Sequence, residues 1–337
     1  MSTGRPGVSW GVLIRVREAG IAAVIVALIA VFGLLNPRFL NAENLGAIVL
    51  SVGILMILAI GQMLVIVTRN IDLSVGSVLG LSAMVMGMVG RDLPQVPIPL
   101  LILIAMAVGA LAGALNGVLV AVAQVPAIIA TLGTLAIFRG LTFLVSNNVQ
   151  VDPEDIDDRV QDLAAEGPLG IPWLVIFAII VVAVAWWFTT RTMTGKRLYA
   201  IGSNPEAARM RGLNVRGLTF LVFVTMGALA GLGGAMYVAR FATVNPADAG
   251  LGFELAVISA VVIGGTNIFG GSGTVLGTVL GTVLVGILAN GLTVVGVSGF
   301  WQRFASGAII LLAIVADAFV RRRIEARQSQ ETTVRST

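Results

Sequence analysis

Long apolar runs, each closed by a short polar break, recur along nearly the whole chain. In order they predict membrane-spanning helices over 20–35, 45–67, 74–90, 98–121, 126–145, 172–189, 217–239, 254–267, 274–297 and 301–320, because roughly 20 apolar residues match the hydrocarbon thickness of a bilayer. The pattern predicts an all-α, polytopic membrane protein with about ten transmembrane helices, in a range of roughly eight to eleven. The first run is short and the eighth shorter still. The strip Ser259–Gly286 is so rich in glycine that a re-entrant or broken helix is an alternative there. Arg15 and Arg17 precede Ile21 with no small-residue cleavage site, so the first run reads as an uncleaved span.

The polar breaks set the orientation. With a cytoplasmic N-terminus, the inner side holds Arg5, Arg15, Arg17, Arg69, Arg191, Lys196, Arg197, Arg209, Arg211 and Arg216, together with Arg321, Arg322, Arg323, Arg327 and Arg335 near the C-terminus. The outer side holds only Arg38, Arg91, Arg159, Arg240 and Arg303. The positive-inside rule then places both termini in the cytoplasm. The chain divides into a cytoplasmic N-terminal segment 1–19, a transmembrane domain 20–320 and a basic cytoplasmic tail 321–337, with a cytoplasmic loop at 190–216 and an acidic outer loop at 146–171. The acidic loop carries Asp152, Glu154, Asp155, Asp157, Asp158, Asp162 and Glu166, which a solvated surface explains without a cation site.

Composition narrows the chemistry. Hydrophobic residues make up 57% of the chain and charged residues 11%, and mean hydropathy is +1.00, so the bilayer is the chain's medium and little length remains for a soluble catalytic domain. Cysteine and histidine are both absent, which excludes thiolate metal sites and removes the commonest general base and metal ligand. No metal or other cofactor is expected. The pI of about 10.5 follows from the topology signal, and no clustered basic face suggests nucleic acid.

Within the cytoplasmic loop, Asn204 is a good N-cap, Pro205 suits the first helical position, Glu206 sits in the first turn and Gly212 can close the helix. Gly202, Ala207, Ala208 and Arg209 complete the segment. It is either a connector or a handle for a partner, with Ala207, Ala208 and Met210 as a small apolar surface. Thr68–Ser77 is a second polar insertion, read as a turn or as a helix break lining a cavity, with Asp72 as a cap for the third span and Asn70 and Ser74 beside it. A faint echo of Asn70–Gly80 in Asn267–Gly277 fits an internal duplication. Asn116, Asn267 and Asn290, with Gln62, Ser82, Thr131 and Thr134, offer amide and hydroxyl groups to a polar solute, and the pairs Gly109/Gly113 and Gly277/Gly281 and the cluster Gly227–Gly234 predict close helix contacts. Arg139 is an intramembrane charge, with Asp317 a further candidate. An ion-coupled secondary transporter, the alternative reading, would place carboxylates or histidines at mid-membrane.

Three of these motifs together carry a resemblance: Asn70–Ser77, Ile201–Arg209 followed by Gly212–Val215, and Gly264–Gly273 with Asn290-Gly291 beyond. The chain resembles, from about Asn36 to Asp317, the permease subunits of bacterial ATP-binding cassette sugar importers of the ribose and xylose type. The resemblance implies that Glu206-Ala207-Ala208 belongs to a coupling helix that fits a groove on a separate ATP-binding subunit, that permeases pair in the inner membrane, and that a periplasmic binding protein docks on the complex. ATP is then used by the partner, and this chain, lacking a phosphate-binding Gly-x-x-x-x-Gly-Lys-Ser/Thr loop, is a transport subunit and not an enzyme. Ribose-type members have glycine where this chain has Arg69-Asn70, and that pair resembles the rhamnose and autoinducer-2 branch.

Overall fold

A computed structural model describes residues 10–165, 167–301, 304, 307 and 308. The first nine residues of the 1–19 segment, Glu166, nearly all of the tenth predicted span 301–320 with Arg303 and Asp317, and the tail 321–337 lie outside the described residues. The described chain forms helices α1 (Trp10–Leu35), α2 (Ala42–Val67), α3 (Val75–Asp92), α4 (Ile98–Gly117), α5 (Ala127–Ser146), α6 (Asp158–Ala165), α7 (Trp173–Arg191), α8 (Met193–Ser203), α9 (Pro205–Met210), α10 (Val215–Phe241), α11 (Phe253–Ile263) and α12 (Val275–Val294). A π turn, Val118–Val122, extends α4.

Seven of these helices are long and apolar enough to cross a bilayer: α1, α2, α4 with its π turn, α5, α7, α10 and α12. The count of about ten is therefore not reached on length and composition among the described residues. The predicted third span forms α3, but Arg91 and Asp92 close its far end. The eighth contracts to α11, whose 11 residues rise only about 16 Å, roughly half a hydrocarbon core. Glycine accounts for the contraction. Gly250 and Gly252 precede α11 in left-handed conformations (φ 74° and 85°), and Gly265 follows it at φ 99°.

α2 is the buried axis, packed by α7, α10, α11 and α12. Hydrophobicity does not drive helices together inside a bilayer, so close packing depends on small residues. Gly109 and Gly113 of α4 meet Gly227, Gly231 and the Phe223 carbonyl of α10, leaving no room for a Cβ. Gly277 and Gly281 of α12 press in the same way on Gly264 and Ala260. Elsewhere the helices turn apolar side chains outward, as Ile129 and Leu144 do on α5 and Trp187 on α7.

The acidic outer loop is more ordered than its composition suggests. It forms α6, and Val151 pairs with Val244 of the loop after α10. Arg159 donates to Asp157, and these hydrogen bonds hold the Asp157 carboxyl down to about 2.

Candidate functional site

The three motifs meet at one end of the bundle. α2 ends in a Schellman motif, with Arg69 N donating to Ile66 O (2.9 Å) and Asn70 N to Val65 O (3.2 Å). Arg69 takes φ 67° there and its Nε donates to Phe269 O at 2.9 Å. Gly271 N donates to Val67 O at 2.9 Å, and Tyr199 OH of α8 donates to Gly273 O at 3.1 Å. Gly202 is wedged between Val67 O and Gly271, where a Cβ would collide with both.

From this junction α9 projects. Asn204 Oδ1 accepts from Glu206 N (3.1 Å) and Ala207 N (3.0 Å), Pro205 opens the helix, and Gly212 closes it at φ 80° with Leu213 N donating to Ala208 O. Glu206, Ala207, Arg209 and Met210 are exposed, Met210 to 86%. Ala208 differs from the expectation, since it is only 4% exposed and faces the protein's own bundle. The apolar surface offered outward is Ala207 and Met210. α8, which sequence reasoning passed over, is the strut between α7 and α9. Thr192 was its signal, since Thr192 Oγ1 accepts from Gly195 N at 3.0 Å as an N-cap.

Deeper in the bundle, four of the polar candidates join one buried chain. Asp72 Oδ1 accepts from Ser74 N (2.8 Å) and Ser74 Oγ (2.7 Å). Asn116 Nδ2 of α4 donates to Ser74 Oγ at 2.8 Å, and Thr134 Oγ1 of α5 donates to Asn116 Oδ1 at 2.6 Å. All four residues are at most 2% exposed. Contrary to the expectation, Asp72 is not the cap of α3; Ser74 is the N-cap residue, and Asp72 folds the turn that delivers it.

The remaining candidates lie apart from this chain. Asn70 turns back on Thr68, Asn267 Oδ1 accepts from Phe269 N in the loop before α12, and Asn290 exchanges hydrogen bonds with Asn44 (3.0 Å each) at the opposite end of the bundle. The Asn70–Gly80 and Asn267–Gly277 segments fold differently: Gly76 is inside α3, whereas its counterpart Gly273 precedes α12. Arg139 Nη1 donates to Ala249 O at 2.6 Å and feels the carboxylates of Glu254 and Asp248. Glu254 was missed because it opens an apolar run and reads as a span boundary. Gln62, fully buried in α2, has no hydrogen-bond partner for either amide atom, nor has the Ser82 hydroxyl.

The described residues thus form a helical bundle with several membrane-crossing helices, an exposed, capped helix at one end and a buried polar chain between its helices. Residues 44–314 match the family described as branched-chain amino acid transport system / permease component, and the chain belongs to that family. It is 35% identical to the autoinducer 2 import system permease protein of Enterobacter sp. (strain 638), over 94% of this chain and 91% of that protein. It is 38% identical to the ribose import permease protein of Escherichia coli (strain K12), over 87% and 91%, and 34% identical to the D-allose transport system permease protein of the same strain, over 88% and 90%. No solved structure matches the chain.

Proposed function

We propose that this chain is the membrane-spanning permease subunit of an ATP-binding cassette importer in a bacterial inner membrane. It carries a monosaccharide or related small polar solute by alternating access. A separate ATP-binding subunit supplies the energy, a periplasmic binding protein delivers the solute, and a second permease, identical or homologous, completes the pore. The carrying observation is the exposed, doubly capped α9 rising from a junction that holds the ends of α2, α8 and the loop before α12. A rotation applied at α9 reaches α10 directly through Gly212 and reaches α2 through Gly202 and Val67. Parting α3 from α4 and α5 would open the Asp72–Ser74–Asn116–Thr134 chain to a solute rich in hydroxyls, and Gln62 and Ser82 would add free hydrogen-bonding groups.

Within this class we favour a rhamnose- or autoinducer-2-like solute over ribose, on the Arg69-Asn70 pair. Isothermal titration of the partner binding protein against rhamnose, ribose, xylose and autoinducer-2 tests that choice. The coupling role is tested by Ala207→Trp. Added bulk in a packed groove typically costs about 1–3 kcal/mol, so the variant should insert normally, co-purify poorly with the ATP-binding subunit and lose uptake. Normal co-purification and uptake would reduce α9 to a connector. The alternative, ion-coupled secondary transport, draws on Arg139 beside Glu254 and Asp248; uptake that survives a protonophore but stops on ATP depletion dismisses it.

A further inference from the structure

A cavity of about 350 Å3 lies between α7 and α10, with α2 behind it and α8 across one end. That is more than ten times the share of one water in the liquid, about 30 Å3. Its walls are almost wholly apolar, with Leu64 at the back, Trp187 and Val184 on one side and Leu221 on the other. Trp187, Val184 and Leu221 are each at least half exposed, so the cavity opens on the flank that meets lipid. A polar solute has nothing to bind there, and the buried polar chain lies elsewhere.

One end of this cavity is charged. Ile180, Val184, Trp187 and Arg191 follow one another at helical spacing, which places Arg191 on the cavity face of α7, one turn beyond Trp187. On α8, Arg197 neighbours Leu198, which lines the cavity, and Lys196 precedes it. All three cations are exposed. None is in an ion pair, for the ion pairs among the described residues are Arg91–Asp92 and Arg159–Asp157. An apolar slot open to lipid and rimmed by unpaired cations at the membrane surface matches one class of molecule on both counts.

We propose that this cavity binds a membrane phospholipid with an anionic headgroup, one acyl chain between α7 and α10 and the phosphate at Arg191 and Arg197. α7 packs along α2, whereas α7 and α10 stand on opposite sides of the cavity. The acyl chain completes the seam between them. Since α8 and α9 run on from α7, the lipid braces the strut that carries α9. The inference rests on the cavity and its rim alone and does not require the importer reading.

The test uses the purified, delipidated full-length chain in detergent. Thermal unfolding is followed with phosphatidylglycerol, with phosphatidylcholine of the same chains, and with inorganic phosphate, and native mass spectrometry counts bound lipid. Phosphatidylglycerol should raise the melting temperature well above phosphatidylcholine, with one molecule retained per chain, and phosphate should do nothing. The double variant Arg191→Gln/Arg197→Gln, which alters only exposed positions, should weaken the half-saturating phosphatidylglycerol concentration by about tenfold. Leu221→Trp, which fills the slot, should abolish retention, and Thr225→Phe serves if that variant does not fold. Equal stabilisation by the two lipids, the same shift from phosphate alone, or unchanged retention in the filled variant would overturn the proposal.

Discussion

Arg69 closes α2 in the left-handed region, at the position of a Schellman motif where glycine carries least strain. Glycine would hold this turn without strain, and what the arginine adds is its bond to Phe269 O. Arg69→Ala loses the bond and keeps the strain, whereas Arg69→Gly loses the bond and releases it. The glycine variant should therefore be the more stable of the two by about 1 kcal/mol in detergent unfolding; an alanine variant as stable as the glycine one would refute the strain account. Gln62 gives the opposite case. Its buried amide lacks partners, so Gln62→Leu should stabilise the fold by about 1–3 kcal/mol while lowering uptake, and a gain in stability with unaltered uptake would remove Gln62 from the solute path. Residue identity made Asp72, Ser74, Asn116 and Arg139 visible from sequence. It did not reveal that the first three are joined by hydrogen bonds, because Asp72 and Asn116 are brought together only by the packing of α3 on α4.

Helices announce themselves in sequence when their ends are marked and their faces are simple. α9 was legible from Asn204, Pro205 and Gly212, and α2 from an uninterrupted apolar run. α8 was not, since Met193–Ser203 is short and its buried face, Gly195, Leu198, Ile201 and Gly202, holds only two large apolar residues amid Lys196, Arg197 and Tyr199. α11 was overextended to 267, although Gly264, Gly265, Thr266 and Asn267 end the apolar run and the helix together. The pairing of α4 with α10 was legible only in part: the glycines marked close approach but not the partner. That contact is backbone on backbone, with Gly109 against Gly227 O and Gly231. Gly109→Leu should push α4 off α10 and cost at least about 1–3 kcal/mol, read as a lowered melting temperature and poor membrane yield. A fully stable Gly109→Leu protein would mean that the two helices separate more easily than their spacing indicates.

For the whole molecule, the asymmetry of arginine and lysine between the two sides predicts the orientation. α7 puts Asp158 and Ser203 at opposite ends of a span, both exposed. In this cysteine-free chain, Asp158→Cys should react with an impermeant maleimide from outside and Ser203→Cys only from inside; reaction of both from one face would break the arrangement. The same whole-molecule view changes the meaning of the chain from Asp72 to Thr134. Its side chains bond chiefly to one another, in a place sealed from water. Pulling α3 away from α4 would break the bond from Asn116 Nδ2 to Ser74 Oγ and strand a buried amide donor with neither partner nor solvent, a state that costs about 1–3 kcal/mol. Water must therefore enter as the helices part, and opening is a wetting transition. Its rate is governed by the activity of water on the open side, so osmotic stress should slow translocation while leaving solute capture by the binding protein unchanged.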